Sequence, residues 1–396
     1  MKNILLISVT AFLLLVTGCQ NTKKSSAKAP LAYIANESLF EPRFVAVEQP
    51  QDIFALTQSQ QQDFLTYFDR WRAKGEESHY IVFHYLSKIA NNFSFLGETY
   101  NATEAMEHRS GNCLSLALLT TALAKLVDLE VEYRMVHTAP VFEKHKNIVL
   151  SSAHVQTIIL DEDFIEEPGE FYIRKPGLVI DYFPSTSNIS GRYISETQFL
   201  AMYYQNMSAA ALVDNDLYAA YWNIKQAAVL DSGSENTQNT LAVIHRRIGD
   251  SRTAEKIYQQ LVVNERETVS VLENYELLLR IEGRIEEAKR IDERIAKLDD
   301  PNPYNWLEAA YMAKHEGSDD KAILYLEKVI EKAPYVLEAY KLLSVIYKEQ
   351  GKGRKAKATL KSSLEWAFDT DEKKQIKYKL YGYSQSKAAN RHGSPE

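Results

Sequence analysis

The sequence predicts an α+β domain over residues 51–200 followed by an all-α solenoid of helical repeats over 201–370. Two observations predict it. Alanines recur at Ala220, Ala254, Ala288, Ala322 and Ala356, and Gly249, Gly283, Gly317 and Gly351 precede the last four by a constant offset. Residues 51–200 instead mix stretches of helical period with short apolar runs of strand length. Composition supports a folded chain, with 45% hydrophobic and 25% charged residues, as in ordinary globular proteins. At 396 residues more than one domain is expected. The net charge of −7 is mild, and without a basic stripe nucleic acid is not an expected partner.

In chain order, the first segment stands outside the fold. Met1-Lys2-Asn3 is a short positive start, and Ile4 to Val16 is apolar except for Ser8 and Thr10. The run is shorter than the roughly 20 residues of a membrane-spanning helix and suits a secretory signal. Its ending, Val16-Thr17-Gly18-Cys19, resembles the bacterial lipobox, in which the cysteine is lipidated and becomes the new N-terminus. The resemblance implies a signal over residues 1–19 and a lipid anchor on Cys19. Two or three acyl chains hold permanently, since each buried methylene contributes about 0.8 kcal/mol. Gln20 stands where an inner-membrane retention signal would place Asp. The implied location is the bacterial cell envelope, on the periplasmic face of the outer membrane where the organism has two. Residues 20–50 begin polar (Asn21 to Ser26) and are expected to form a flexible tether.

The α+β signals start next. Ser59 to Trp71 and Ser78 to Ile89 have helical period, and Ser59 with Gln62 has the form of a capping box. Ala102 to His108 predicts a short helix. Arg109-Ser110-Gly111-Asn112-Cys113 then leads into a Leu- and Ala-rich stretch ending at Leu126. That stretch predicts a buried helix with Cys113 in or near its first turn. The positive end of a helix stabilises thiolate, the reactive form of the side chain. Val131 to Val136 predicts a strand, followed by a long polar loop. His154 to Leu160 predicts a strand opened by the histidine, and Leu178-Val179-Ile180 a third that runs into Asp181.

This order resembles the transglutaminase-like superfamily, which shares its core with papain-type cysteine proteases. The family pattern is a Gly-x-Cys opening a buried helix, a His opening a later strand and an Asp ending the next. Gly111-Asn112-Cys113, His154 and Asp181 fill those places, and Ala102 to Met106 resembles the helix ahead of the family's cysteine. The resemblance covers residues from about 85 to 185. Two features depart from the pattern: Gln156 stands where many members carry an aromatic residue, and Tyr182-Phe183-Pro184 follows the Asp where Pro often follows directly. The resemblance implies a catalytic triad of Cys113, His154 and Asp181. Cys113 thiolate attacks a carbonyl, His154 pairs with the thiolate and then protonates the leaving amine, and Asp181 orients the imidazole. The Cys113 backbone N–H is one candidate oxyanion donor. Water as acceptor makes a peptidase or amidase; an amine makes a transglutaminase. No cofactor is implied. The nine histidines and two cysteines make no zinc spacing, and no Gly-rich loop of the phosphate-binding kind follows a strand.

A cysteine among leucines is by itself a small buried hydrophobe. Here lipidation of Cys19 would leave Cys113 as the one free thiol, in an oxidising compartment where an unpaired cysteine is a liability.

The alanines and glycines of the C-terminal half keep a 34-residue register, with Asn215 in the first turn position. A turn glycine and a small residue in the second helix at this period resemble the tetratricopeptide repeat. Each unit is then a helical hairpin, with the alanine where its two helices come closest. One hairpin cannot bury its own apolar face, so several stack. Five units span 201–370, and 371–396 supplies a capping helix and a loose tail. The expected partner of the array is a protein or peptide. Two readings follow: a lipid-anchored thiol enzyme whose repeats recruit a polypeptide, or a non-catalytic scaffold in which both parts are binding modules.

Overall fold

The computed structural model describes residues 31–41, 46–91, 93–95, 98–145, 148–165, 172, 174–182, 189–295, 302–315, 317–367, 373 and 376–377; for 95, 137–145, 148–154 and 189–190 the description covers the backbone. Residues 1–30, with the signal and Cys19, and the tail 384–396 lie outside the described residues.

The N-terminal half consists of α1 (Pro50–Ile53), α2 (Gln58–Arg72), α3 (Ser78–Ala90), β1 (Ser94–Phe95), α4 (Ala102–His108), β2 (Ser110–Gly111), α5 (Cys113–Leu126), β3 (Val131–His145), β4 (Ile148–Leu160), β5 (Gly177–Asp181) and β6 (Ile189–Ile194). The last four strands form one antiparallel sheet in the order β5-β4-β3-β6. α5 is the buried spine: every residue from Leu114 to Ala124 is buried. Leu and Ala at nearly every position give it high helix propensity, and Asn112 caps it by accepting from the Ser115 N–H. Asp128, at φ 57°, turns the chain back into β3, so β3 runs antiparallel to α5. Cross-links fix the packing. Tyr133 hydroxyl donates to Thr121 Oγ1 at 3.3 Å, and Tyr182 hydroxyl lies 2.8 Å from both Thr120 Oγ1 and Thr157 Oγ1.

Three local expectations are corrected. The helix start at Ser59 and Gln62 is displaced by two residues: Thr57 and Gln60 make the capping box of α2. The polar loop expected after Val136 is strand, because β3 and β4 continue as a long two-stranded ribbon with a register shift between Val136 and Val141. His154 therefore lies inside β4 rather than opening it, paired in register with Val136.

The tether is also shorter than expected. Leu31 and Phe40 are buried, and Phe40 stacks on Tyr221 with ring centroids 3.9 Å apart. Tyr33 and Tyr221 hydroxyls lie 3.1 Å apart, and Gln260 Nε2 donates to the Ala32 carbonyl at 3.0 Å. Leu31, Ile34, Leu39 and the two aromatic rings give residues 31–40 an apolar face that packs into the core.

The C-terminal half is a series of five helical hairpins: α6 (Glu196–Val213) with α7 (Leu217–Leu230), α8 (Glu235–Arg247) with α9 (Ser251–Val263), α10 (Val269–Ile281) with α11 (Ile285–Ile295), α12 (Pro303–His315) with α13 (Asp319–Lys332), and α14 (Leu337–Glu349) with α15 (Gly353–Ser362). All five register alanines are 0% exposed. The turn residues are left-handed, with φ of 60° at Asn215 and 94°, 74°, 75° and 72° at Gly249, Gly283, Gly317 and Gly351. In the expected cap, Ile376 is buried with Leu337, Leu360 and Ala367.

The first hairpin opens before residue 201 because Ser195 caps α6. Phe199 of α6 is fully buried and stacks on Tyr133 of β3 at 4.1 Å. One continuous apolar core accordingly runs from Leu31 through the sheet to Ala288, and a second core spans Leu307 to Ala356. β3 also touches both α6 and α12.

Candidate thiol site on the α+β core

Cys113 is the first residue of α5 and is half-buried. The chain before it is held on every side. Arg109, left-handed at φ 48°, ends α4, and its carbonyl accepts from the Ser94 N–H at 2.8 Å. β1 and β2 pair in parallel, Ser94 with Ser110 and Phe95 with Gly111. Asn112 N–H donates to the Glu98 carbonyl at 2.9 Å, and Asn112 Nδ2 donates to Thr99 Oγ1 at 2.7 Å. Thr99 Oγ1 also accepts from Asn206 of α6 at 3.0 Å, which ties the cysteine loop to the first repeat. Cys113 is thus at the positive end of the helix, a position that favours thiolate.

Asp181 ends β5 and is the register partner of Gln156 on β4. Gln156 Nε2 donates to Asp181 Oδ2 at 2.8 Å. Gln156 Oε1 in turn accepts from Arg134 Nε at 3.0 Å and Nη2 at 2.8 Å, and Arg134 is its cross-strand partner on β3. The three side chains thus form a row across three adjacent strands. Tyr182, next to Asp181, has its phenol held well above the ordinary value by burial, and negative charge on Cys113 and Asp181 adds to the rise. The Tyr182 hydroxyl is therefore within electrostatic reach of both.

His154 lies two residues before Gln156 on β4, and the structure gives its backbone and its register with Val136. Its height along the sheet follows from the cross-links. Thr121 is level with Tyr133, which pairs with Thr157. Cys113 is eight residues before Thr121, about 12 Å of helix. The same rise along β4, at about 3.3 Å per residue, leads back from Thr157 to residues 153–154. Gln156 and Arg134, one residue from Thr157 and Tyr133 in the same register, lie on the sheet face opposite α5.

Sequence reasoning missed Arg134, Gln156 and Tyr182 as neighbours of Asp181. A signal was present for the first: Val131 to Val136 alternates, which puts Arg134 with Glu132 on the face opposite Tyr133. Gln156 appears in the sequence only as a departure from an aromatic pattern.

With the geometry in place, the chain is an α+β core fused to a helical-hairpin solenoid. Solved structures similar to it are tetratricopeptide-repeat and related proteins. YrrB, described as a TPR protein with an unusual peptide-binding site, is 17% identical over 45% of this chain and 92% of its own, with a TM-score of 0.23. PilF of Pseudomonas aeruginosa is 14% identical over 50% of this chain and 96% of its own, with a TM-score of 0.29. Yeast Tom70 is 16% identical over 48% of this chain and 40% of its own, with a TM-score of 0.35. No protein-family model matches the chain, and no curated relative matches it. The repeat is carried by the chain's own geometry, in the buried alanines and left-handed turns at a 34-residue period.

Proposed function

We propose that this chain is a cell-envelope lipoprotein, anchored through Cys19, in which Cys113, His154 and Asp181 form a thiol site for acyl transfer at a peptide or amide bond. The observation that carries the reading is that Cys113 is the first residue of a buried, Asn-capped helix; Asp181 ends β5. In the proposed reaction the Cys113 sulfur attacks the carbonyl carbon. The C–N bond breaks as the His154 imidazolium gives its proton to the leaving amine, and a thioester remains. Water then releases a carboxylic acid and regenerates the thiol, as in a peptidase or amidase; an amine in its place makes a crosslink. The solenoid would hold a polypeptide, since stacked hairpins make an extended curved surface. β3 supports a link between the two parts, because it belongs to the sheet of the proposed site and also touches α12. The mature protein is expected to react with a peptide vinyl sulfone at Cys113, and Cys113→Ala is expected to abolish labelling. Labelling no faster than that of a free cysteine removes the enzyme reading.

A second reading is a non-catalytic scaffold. The observation that favours it is Gln156, whose amide already donates to one oxygen of Asp181 at 2.8 Å. Under it, Cys113→Ala leaves the cellular phenotype intact, while loss of the repeat array removes it.

A further inference from the structure

We propose that the face built by α7, α8 and α9 is a polypeptide-binding seat, that residues 31–41 occupy it as an intramolecular ligand, and that an outside segment of the same chemistry takes their place. This deepens the reading of the solenoid as a holder of polypeptide, on which it rests, and is independent of the thiol site. Three side chains anchor the segment. Phe40 is 1% exposed. Its ring stacks on Tyr221 of α7 at 3.9 Å and meets Tyr218 of α7 and His245 of α8 edge-on at 6.2 and 5.4 Å. Tyr33 hydroxyl lies 3.1 Å from the Tyr221 hydroxyl. Glu37 pairs with Lys225 of α7 at 2.9 Å. Asn36 Oδ1 accepts from the Ser38 hydroxyl at 2.7 Å, which leaves the Asn36 NH2 group for Asp250, the residue that caps α9. Gln260 of α9 donates to the Ala32 carbonyl at 3.0 Å. The seat therefore selects an aromatic residue, an acidic one four places on and a second aromatic three places further, as in Tyr33, Glu37 and Phe40.

Two features mark the segment as a ligand rather than as framework. Among the described residues its backbone-to-backbone hydrogen bonds stay within it, from Leu39 N–H to the Asn36 carbonyl and from Phe40 N–H to the Glu37 carbonyl. Its bonds to the repeats all involve a side chain. The first two hairpins are also locked together without it. Gln205 of α6 donates to Thr237 Oγ1 of α8 at 2.8 Å, and Arg247 of α8 donates to the Leu212 carbonyl at 2.8 Å. The chain that joins the segment to α1 holds it at an effective concentration of order millimolar. An outside segment prevails when neighbouring repeats hold the same polypeptide, or when that connection is cut.

The test uses the mature full-length protein with a protease recognition sequence inserted after Glu41, before and after cutting. Anisotropy of a fluorescent peptide of residues 31–41 reads binding, and circular dichroism follows the fold. The peptide is expected to bind the cut chain at least about tenfold more tightly than the uncut chain. Phe40→Ala in the peptide is expected to weaken binding at least about a hundredfold, because a buried ring is lost. Glu37→Lys in the peptide should weaken binding to the cut parent and recover it on a cut Lys225→Glu chain. Loss of the helical signal when the cut segment leaves would make residues 31–41 part of the framework and overturn the proposal. Equal binding to cut and uncut chains, or binding indifferent to these substitutions, overturns it as well. Selection of a random phage-displayed peptide library on the cut chain separates the seat from the broader reading. Binders that the 31–41 peptide does not displace put the polypeptide surface elsewhere on the array and overturn the seat alone; the absence of any binder removes both.

Discussion

Gly111 has φ +137°, and a Cβ there would lie 2.7 Å from both Cβ and Oγ of Ser115. The residue two places before Cys113 is thus tied to glycine by its backbone and by its neighbour. Gly111→Ala is expected to cost about 1–3 kcal/mol through strain at this position, measured as a lower urea midpoint. It should also slow Cys113 alkylation, since the chain beside the cap must shift. His245 makes a different prediction. It is fully buried, its Nδ1 lies 3.3 Å from Asp250 Oδ2, and Phe40 meets its ring edge-on at 5.4 Å. Burial holds the imidazole below its ordinary value of 6.5, with Asp250 pulling the other way. The folded chain therefore takes up this proton at lower pH than the unfolded chain. Stability from this site is full above about pH 6.5 and falls as pH drops below it. The melting temperature is expected to be lower at pH 5.5 than at pH 7.5, and His245→Gln is expected to narrow that difference.

Among the elements, the hairpin turns and the close helix contacts separate two kinds of constraint. At Gly283, φ is +74° and an added Cβ meets nothing within 4 Å. Gly283→Ala should cost only the backbone preference, about 1 kcal/mol. Ala288 is 0% exposed, so Ala288→Leu must push two helices apart and should cost about 1–3 kcal/mol or more. Guanidinium unfolding of the two variants checks the order. These positions were legible in the sequence because each admits very few residue types and recurs at a fixed period. The extension of β3 and β4 was not legible. Pro140 and the charged run Glu143 to Lys146 have low strand propensity, and the two strands supply each other's hydrogen bonds instead. The start of α2 was legible only to within two residues. Thr57 with Gln60 and Ser59 with Gln62 have the same local form, and tertiary burial of Phe64 belongs to neither pattern. The site shows the same division. A cysteine at a helix start is a local feature, and α5 begins at Cys113 itself. The row of Arg134, Gln156 and Asp181 depends on cross-strand register, which no local pattern records.

For the whole molecule, the core does not divide at residue 200. Phe199, Tyr203 and Tyr204 of α6 are buried with the sheet, and Phe40 joins the N-terminal segment to Tyr221. A fragment of residues 31–200 is expected to lack cooperative melting by circular dichroism, whereas 31–295 should melt as a unit. The helices from α12 onward bury a separate core and should exchange their amide hydrogens independently of the sheet. Among the described residues no helix is long and apolar enough to cross a membrane. The ionisation of Cys113 separates an activated thiol from a buried hydrophobe. Iodoacetamide is expected to modify Cys113 in the parent protein with an inflection well below the ordinary thiol value of about 8.5, and His154→Ala is expected to return it there. An inflection at or above the ordinary value in the parent protein would show that Cys113 is not an activated thiol.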